Sequence, residues 1–263
     1  MMARRDPRRF GGMCKFASLL IVMGLLAVGC ASSGTIQKPK KRGPLHYYRM
    51  GRLFYEQGKV EQALAELDRS IALDDTLPQT YFLKGQILWS VNRCEEAIPE
   101  FEKALAINVY FTDVRMYLAE CLERVGEADR ALDVLDAAQQ DRRFPYPEKI
   151  LFNIAMIHLR AGRLDEALEN LRRSVELRPR YYLAHFEMAK ILEQRERFDE
   201  ALRAFETAEP GFPKNPEFLY RYGYALYRSG NEAHSRRVLE RVIDLAPGSE
   251  TAAKAAQLLG AIG

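Results

Sequence analysis

The segment "EKILFNIAMIHLRAGRLDEALENLRRSVELRPRY", residues 148–181, combines two apolar runs with a helix breaker between them. Gly162 separates the runs and Pro179 follows the second. Glycine adopts positive φ at little cost, and proline cannot continue a helix. Ala155 and Ala167 stand twelve positions apart, one in each run. Small side chains at such points allow close helix packing, so the segment predicts two tightly packed helices joined by a turn.

The same pattern recurs along the chain. A first series of small residues is Gly51, Gly85, Ala119, Ala155, Ala189 and Gly223. The spacing is 34 residues throughout, except for 36 between the third and fourth members. A second series lies twelve positions later: Ala63, Ala97, Ala131, Ala167, Ala201 and Ser235. Glycine or asparagine stands between the two series in five copies, and Glu196 is the exception. A fixed period of this length is typical of repeat architectures.

This pattern resembles the tetratricopeptide repeat, a helix-turn-helix unit of 34 residues. Six copies fit the sequence: 44–77, 78–111, 112–147, 148–181, 182–215 and 216–249. Residues 250–260 are predicted to form a helix that covers the last repeat, because an open solenoid needs a cap. The resemblance implies an all-α fold, a right-handed superhelical solenoid of six repeats with a C-terminal capping helix, over residues 44–263.

The N-terminus carries the features of a targeting signal. The uncharged run from Phe16 to Gly29 would span roughly 21 Å as a helix, less than the roughly 30 Å of a bilayer core. Five basic residues precede it, as in secretory signals. The Gly29–Cys30 junction resembles that of bacterial lipoproteins, which implies cleavage of 1–29 and lipidation of Cys30. Residues 30–43 then form a linker. An ordinary secretory signal with a chance cysteine is the alternative.

The resemblance also implies a location. Lipidated Cys30 supplies enough acyl chains for stable membrane attachment. Ala31, rather than aspartate, follows it, which favours the outer membrane, with the domain on the periplasmic face. Without residues 1–29 the chain loses five basic residues and one acidic residue. The remaining 34 basic and 35 acidic residues give a net charge of −1, which argues against a nucleic-acid partner.

Two cysteines remain once Cys14 leaves with the signal and Cys30 takes the lipid. Cys94 and Cys121 are predicted to be separate buried thiols, and a disulfide between them is the alternative. The four histidines fall at different places in four repeats, and no metal-binding or catalytic motif is present. We therefore expect no enzyme activity, no metal, no cofactor and no small-molecule substrate.

The first helix of each repeat is predicted to line the concave side of the solenoid, where a protein partner binds. One stripe of these helices carries aromatic or methionine side chains. The candidate groove residues are Tyr48, Tyr55, Phe82, Trp89, Phe152, Met156, Phe186, Tyr220, Tyr224 and Tyr227. The alternative is that Phe82, Phe152 and Phe186 only pack between neighbouring helices. Trp89, Tyr224 and Tyr227 are the preferred contact residues.

The extra two residues before repeat four fall in "DRRFPYP", residues 141–147. Pro145 and Pro147 stop the preceding helix. The simpler interpretation is a longer loop. The alternative is a surface feature for a partner, because exposed Phe144 and Tyr146 would be unusual.

Three segments resemble the type IV pilus pilotins: "FPYPEKILFNIAMIHL" (144–159), "HFEMAKILEQRERFDEA" (185–201) and "LAPGSETAAKAAQLL" (245–259). The resemblance implies an outer-membrane lipoprotein that binds the pilus secretin and promotes its localisation and multimerisation. The alternative is an envelope adaptor that scaffolds peptidoglycan or outer-membrane assembly proteins. The two hypotheses differ in their partner and not in their fold.

Overall fold

The computed structural model describes residues 42–262, which belong to one compact unit. The predicted signal peptide, Cys30 and nearly all of the predicted linker lie outside these residues. The helices are α1 (Pro44–Glu56), α2 (Val60–Leu73), α3 (Pro78–Ser90), α4 (Cys94–Ile107), α5 (Thr112–Arg124), α6 (Ala128–Gln139), α7 (Pro147–Arg160), α8 (Leu164–Leu177), α9 (Tyr182–Gln194), α10 (Phe198–Ala208), α11 (Pro216–Arg228), α12 (Glu232–Leu245) and α13 (Glu250–Ile262). Within 42–262 no helix is both long and apolar enough to cross a membrane.

Prolines and left-handed turns set the helix boundaries. Pro44, Pro78, Pro147 and Pro216 begin first helices, at the position where a missing N–H costs nothing. The turns inside the repeats have positive φ, mostly at glycine. Glu196 adopts a φ of 57° at the same turn, although it carries a Cβ. The backbone of repeat five therefore follows the common pattern despite its divergent residue.

The helices stack as successive antiparallel pairs. Each odd-numbered helix from α1 to α11 packs on the even-numbered helix that follows it, and each pair contacts the next. First helices of consecutive repeats also touch, as in α1–α3, α3–α5, α5–α7 and α9–α11. α13 packs against α11 and α12 and covers the last pair. The predicted all-α solenoid of six repeats with a capping helix is therefore confirmed.

The core consists of two hydrophobic clusters, and α7 contributes to both. Ile150, Ile154 and Ile157 join the cluster formed with α2–α6. Phe152 and Ala155 join the cluster that continues through α8–α13. Helix α7 therefore connects the two halves of the solenoid.

Close packing explains why the first small-residue series contains only glycine and alanine. A Cβ on Gly85 would lie 2.5 Å from the ring of Phe101, which is completely buried. Ala119 occupies the equivalent position in repeat three and is itself buried. Both positions therefore require a small residue, because the two helices of each repeat approach closely there.

The prediction of separate thiols at Cys94 and Cys121 is wrong. The structure joins them in a disulfide, with a Cα–Cα distance of 4.9 Å. Cys94 begins α4 and Cys121 lies in α5, so the bond links two consecutive repeats. The residues are 27 positions apart in sequence, and only the helix packing shows that their side chains meet.

Candidate functional site

Three cavities follow the first helices along the inner side of the solenoid. The first, of about 320 Å³, lies between α3, α5 and the start of α7. The second, of about 220 Å³, lies between α5 and α7. The third, of about 490 Å³, is lined mainly by α9 and α11. We call this run of cavities the groove.

Trp89 lines the first cavity and is fixed by two neighbours. Its ring packs edge-on against Tyr117, with a centroid distance of 5.0 Å. The guanidinium of Arg124 lies 5.4 Å from the Trp89 ring centroid, a cation–π contact. The indole Nε1 is buried and has no acceptor among the described residues. Trp89 is therefore a rigid, half-buried wall of the groove, and part of its surface remains open to a ligand.

The second cavity combines an apolar floor with an ion pair between repeats. Phe152 and Met156 lie on its floor. Arg160 of α7 donates to the Glu123 carboxylate of α5 at 2.6 Å across the cavity. The ion pair connects first helices of neighbouring repeats, and Met156 remains partly exposed beside it.

The third cavity contains an arginine held by two aromatic rings. Arg228 lies 3.9 Å from the ring centroid of Phe198 and donates a 2.7 Å hydrogen bond to the Tyr224 hydroxyl. Arg221, on the same helix, bonds the Glu193 carboxylate of α9 at 3.2 Å. Burial raises the pKa of the Glu193 carboxyl above its ordinary value, against the opposing effect of Arg221. The cavity therefore offers a positioned guanidinium beside aromatic surface.

The structure divides the ten predicted groove residues into two groups. Phe152 and Phe186 are only 9% and 7% exposed, so most of their surface belongs to the core. Phe82 packs against Phe111 and Tyr117. These aromatics therefore mainly fill space between neighbouring helices. The partly exposed members are Tyr48, Tyr55, Trp89, Met156, Tyr220, Tyr224 and Tyr227. A partner-binding role for each of the ten residues remains a prediction.

Sequence reasoning missed the arginines of the groove. Arg124, Arg160 and Arg228 each occupy the last residue of a first helix. That recurrence is visible in the sequence once the repeats are aligned, and it marks a cationic row at the ends of α5, α7 and α11. The aromatic stripe alone gave no indication of it.

The described residues contain no cluster of three or more histidine, cysteine or acidic side chains able to hold a metal ion. The groove instead offers apolar patches, aromatic rings and fixed charges along stacked helices. Surfaces of this kind bind extended or helical protein segments.

Four models of tetratricopeptide repeats match consecutive parts of the chain. Residues 51–92 match a TPR repeat model, and residues 88–148 and 146–214 each match a tetratricopeptide repeat model. Residues 183–249 match the YpiA-like, C-terminal tetratricopeptide repeats. A search of curated protein sequences finds no match.

Solved structures share the fold at low sequence identity. PilF of Pseudomonas aeruginosa is 19% identical, with a TM-score of 0.70 over 82% of this chain and 97% of its own. PilW, a widely conserved type IV pilus biogenesis factor, is 16% identical, with a TM-score of 0.69 over 81% of this chain and 98% of its own. YrrB, a TPR protein with an unusual peptide-binding site, is 20% identical, with a TM-score of 0.55 over 73% and 97%. The chain is a tetratricopeptide-repeat protein, similar in fold to PilF and PilW.

Proposed function

We propose that this protein is a pilotin: an outer-membrane lipoprotein that binds the type IV pilus secretin and promotes its outer-membrane localisation and multimerisation. The observation that carries the proposal is the fold similarity to PilW over 98% of PilW's length. A pilus biogenesis factor and this chain therefore share a fold over nearly the whole length of PilW. The three segments that resemble pilotins support the same assignment.

The proposed mechanism is that of a tethered chaperone without catalytic activity. The lipid on Cys30 holds the solenoid at the membrane, and the groove holds a secretin protomer. Confinement to one membrane raises the local concentration of the two proteins, so a modest affinity is sufficient. Residues 30–43 are the linker that connects the lipid anchor to the repeat domain and its groove.

The disulfide between Cys94 and Cys121 supports a location outside the cytoplasm. Disulfides persist in the periplasm and are rare in the reducing cytosol. An extracytoplasmic location is required for lipidation at Cys30 and for contact with a secretin.

The first test is a secretin immunoblot on unboiled membrane fractions from wild-type and deletion strains. The proposal expects detergent-resistant secretin multimers in the wild type, and monomer accumulation without multimers in the deletion strain. Complementation with Cys30→Ala should return a folded protein that leaves the membrane fraction and restores few multimers. Unchanged multimers in the deletion strain would remove the pilotin assignment.

The groove can be tested in the same strain. Trp89→Ala and Tyr224→Ala remove partly exposed side chains from the first and third cavities. Leu177→Ala, at an exposed position on a second helix, is the matched control. We expect the two groove variants to pull down less secretin, with a larger effect on binding than on thermal stability. Secretin recovery equal to that of the control would exclude the groove as the binding face.

An envelope adaptor is the second candidate, favoured by the similarity to YrrB, which is described by its peptide-binding site. An adaptor would recover cell-wall or outer-membrane assembly proteins in a pulldown and would leave secretin multimers intact. The same immunoblot therefore separates the two candidates.

A further inference from the structure

The two ends of the solenoid differ within residues 42–262. At the C-terminal end α13 packs on α11 and α12 and covers the last repeat. At the other end α1 packs on α2 and α3, and no described helix precedes it. One side of α1, the side that a preceding repeat would cover, therefore has no helix on it among the described residues.

The equivalence of the repeats identifies the residues on this side. Leu53 is 43% exposed, whereas Ile87, 34 positions later, is completely buried. The residues at the same position in the remaining repeats are also buried: Cys121, Ile157, Ile191 and Ala225. His46 is partly exposed, and its equivalent Thr80 is buried. The spacing of these positions gives one stripe of α1, which we call the end face: His46, Arg49, Met50 and Leu53.

The chain around the end face is strongly basic. Between residues 38 and 60 the only acidic residue is Glu56. The cationic residues of the same segment are Lys38, Lys40, Lys41, Arg42, Arg49, Arg52 and Lys59. Glu56 forms an ion pair with Arg52 at 3.7 Å. Arg49 is exposed and has no ion-pair partner within residues 42–262, so the end face carries an uncompensated positive charge.

The acidic residues of α2 do not neutralise the end face. Glu61 is bonded by Arg93, and Asp68 by Lys84, so both acids pair with repeat two. The third acid, Glu66, pairs with the arginine three positions later on α2 itself. The negative charge of repeat one is therefore engaged in ion pairs away from Arg49.

The proposed anchor lies close to this end of the solenoid. Thirteen peptide steps separate Cys30 from Gly43, which precedes α1. Even a fully extended chain of that length spans no more than about 45 Å. The linker is a poor cover for the end face, because Ile36 is the only large apolar residue of 31–41 and its lysines repel Arg49. The surface nearest to the end face is then the membrane that holds the lipid.

A second copy of the chain is also a poor cover. A two-fold contact places the same patch of both subunits face to face. Arg49 of one copy would then lie near Arg49 of the other, and like charges in an interface oppose binding. An anionic bilayer carries the opposite charge, and its interface accommodates an exposed leucine beside cationic side chains.

We propose that the end face of α1 docks on the surface of an anionic phospholipid bilayer. Arg49 and Arg52 contact the lipid headgroups, and Leu53 enters the interface between headgroups and acyl chains. The inference rests on the membrane anchor of the proposed function and requires no secretin. It concerns a surface outside the ten groove residues.

The test is co-sedimentation with vesicles. The mature chain, residues 30–263, carries Cys30→Ala so that binding does not depend on an attached lipid. One vesicle contains phosphatidylcholine alone, and the other contains about one-third phosphatidylglycerol. We expect binding to the anionic vesicle to be at least about tenfold tighter and to weaken as the salt concentration rises.

Two variants of the end face have matched controls elsewhere on the surface. Each unit of charge near an anionic bilayer changes binding by about fivefold, so Arg49→Glu should weaken binding by about tenfold or more. Arg172→Glu, the same change at an exposed position of α8, should bind as the unmodified chain does. Leu53→Ser should weaken binding severalfold, whereas Leu177→Ser, at another exposed leucine, should not.

Several results would overturn the proposal. They are equal binding to the two vesicles, equal binding by Arg49→Glu and Arg172→Glu, or a dimer in solution that Arg49→Glu dissociates. Lower secretin recovery by Arg49→Glu at unchanged vesicle binding would assign the end face to a protein partner instead. Vesicle binding as expected, with normal secretin multimers in the deletion strain, would refute the pilotin function and leave the docking surface standing. Loss of the multimers in that strain, without vesicle binding, would do the reverse.

Discussion

Reduction of the Cys94–Cys121 disulfide should destabilise the middle of the solenoid by a calculable amount. The bond spans 27 positions of sequence. Loop-closure entropy for a cross-link of this length contributes about 3.5 kcal/mol to the free energy of unfolding. For a chain of this size, a loss of that magnitude lowers Tm by about 10 °C. The bond joins α4 to α5, so the interface between repeats two and three is affected first.

The single tryptophan makes this local effect measurable. Trp89 lies in α3 and packs on Tyr117 of α5, so its fluorescence reports on the same interface. Circular dichroism reports on all helices at once. The experiment is urea unfolding with and without reductant, in a Cys14→Ser/Cys30→Ser background. Reductant should lower the urea midpoint followed by fluorescence more than the midpoint followed by circular dichroism. Stability in repeat proteins is nearly a sum over repeats and their interfaces, which allows the two probes to separate.

The Cys94→Ala/Cys121→Ala variant is the matched control. Its unfolding curve should not respond to reductant and should follow that of the reduced wild type, apart from a small loss of packing. Two free thiols in the mass spectrum of the non-reduced protein would refute the bond itself. Identical unfolding curves for oxidised and reduced wild type would refute the entropic reasoning.

Three further predictions concern packing, backbone and pH. Gly85→Ala should lower the free energy of unfolding by about 1–3 kcal/mol in urea titrations, because its Cβ would meet the buried ring of Phe101. Glu196→Gly should raise that free energy by about 1 kcal/mol, because glycine adopts the observed positive φ without the Cβ penalty. Burial, and then the charge of Arg163, lower the pKa of His158 below the ordinary 6.5. His158 therefore binds a proton more readily in the unfolded chain than in the folded protein. Its contribution to the free energy of unfolding is complete above pH 6.5 and is lost as the pH falls below that value. Thermal melts at a series of pH values measure this loss.

Each of these predictions has a control within the chain. Ala119→Gly, at the position equivalent to Gly85, should cost about 1 kcal/mol through helix propensity and relieve no clash. Gly162→Ala should have the opposite effect at the equivalent turn of repeat four, since Gly162 has a φ of 73°. His158→Gln should flatten the decline in stability between pH 7 and pH 5. A decline equally steep in wild type and variant would assign the pH dependence to other groups.

The fold was predictable from the repeat period because one pattern specifies both the helices of each repeat and the way in which successive repeats stack. The small residues mark where helices approach, and the turn residues mark where each pair reverses. Glu196 shows how strong this constraint is: its turn adopts the left-handed conformation without a glycine. Neighbouring repeats therefore fix the backbone where the local sequence does not favour it.

The site was less predictable because one residue step rotates a side chain by about 100° around a helix. That step decides whether an aromatic side chain such as Phe186 faces the core or the groove. It also explains why Tyr117, adjacent to the predicted stripe, forms the contact with Trp89. Contacts between neighbouring repeats, such as that of Arg160 with Glu123 37 positions earlier, depend on the stacking angle of the repeats. No local pattern reports that angle.

The irregular spacing before repeat four illustrates how a repeat protein can lengthen a loop without disturbing its core. The linker after α4 covers residues 108–111, whereas the linker after α6 covers 140–146. The longer linker holds Phe144 and Tyr146 at the surface, and α7 still presents Ile150 to one core cluster and Phe152 to the other. The inserted residues therefore lengthen the loop, and α7 keeps the orientation that both core clusters require. Because each repeat contacts only its neighbours, such a change has little structural consequence elsewhere.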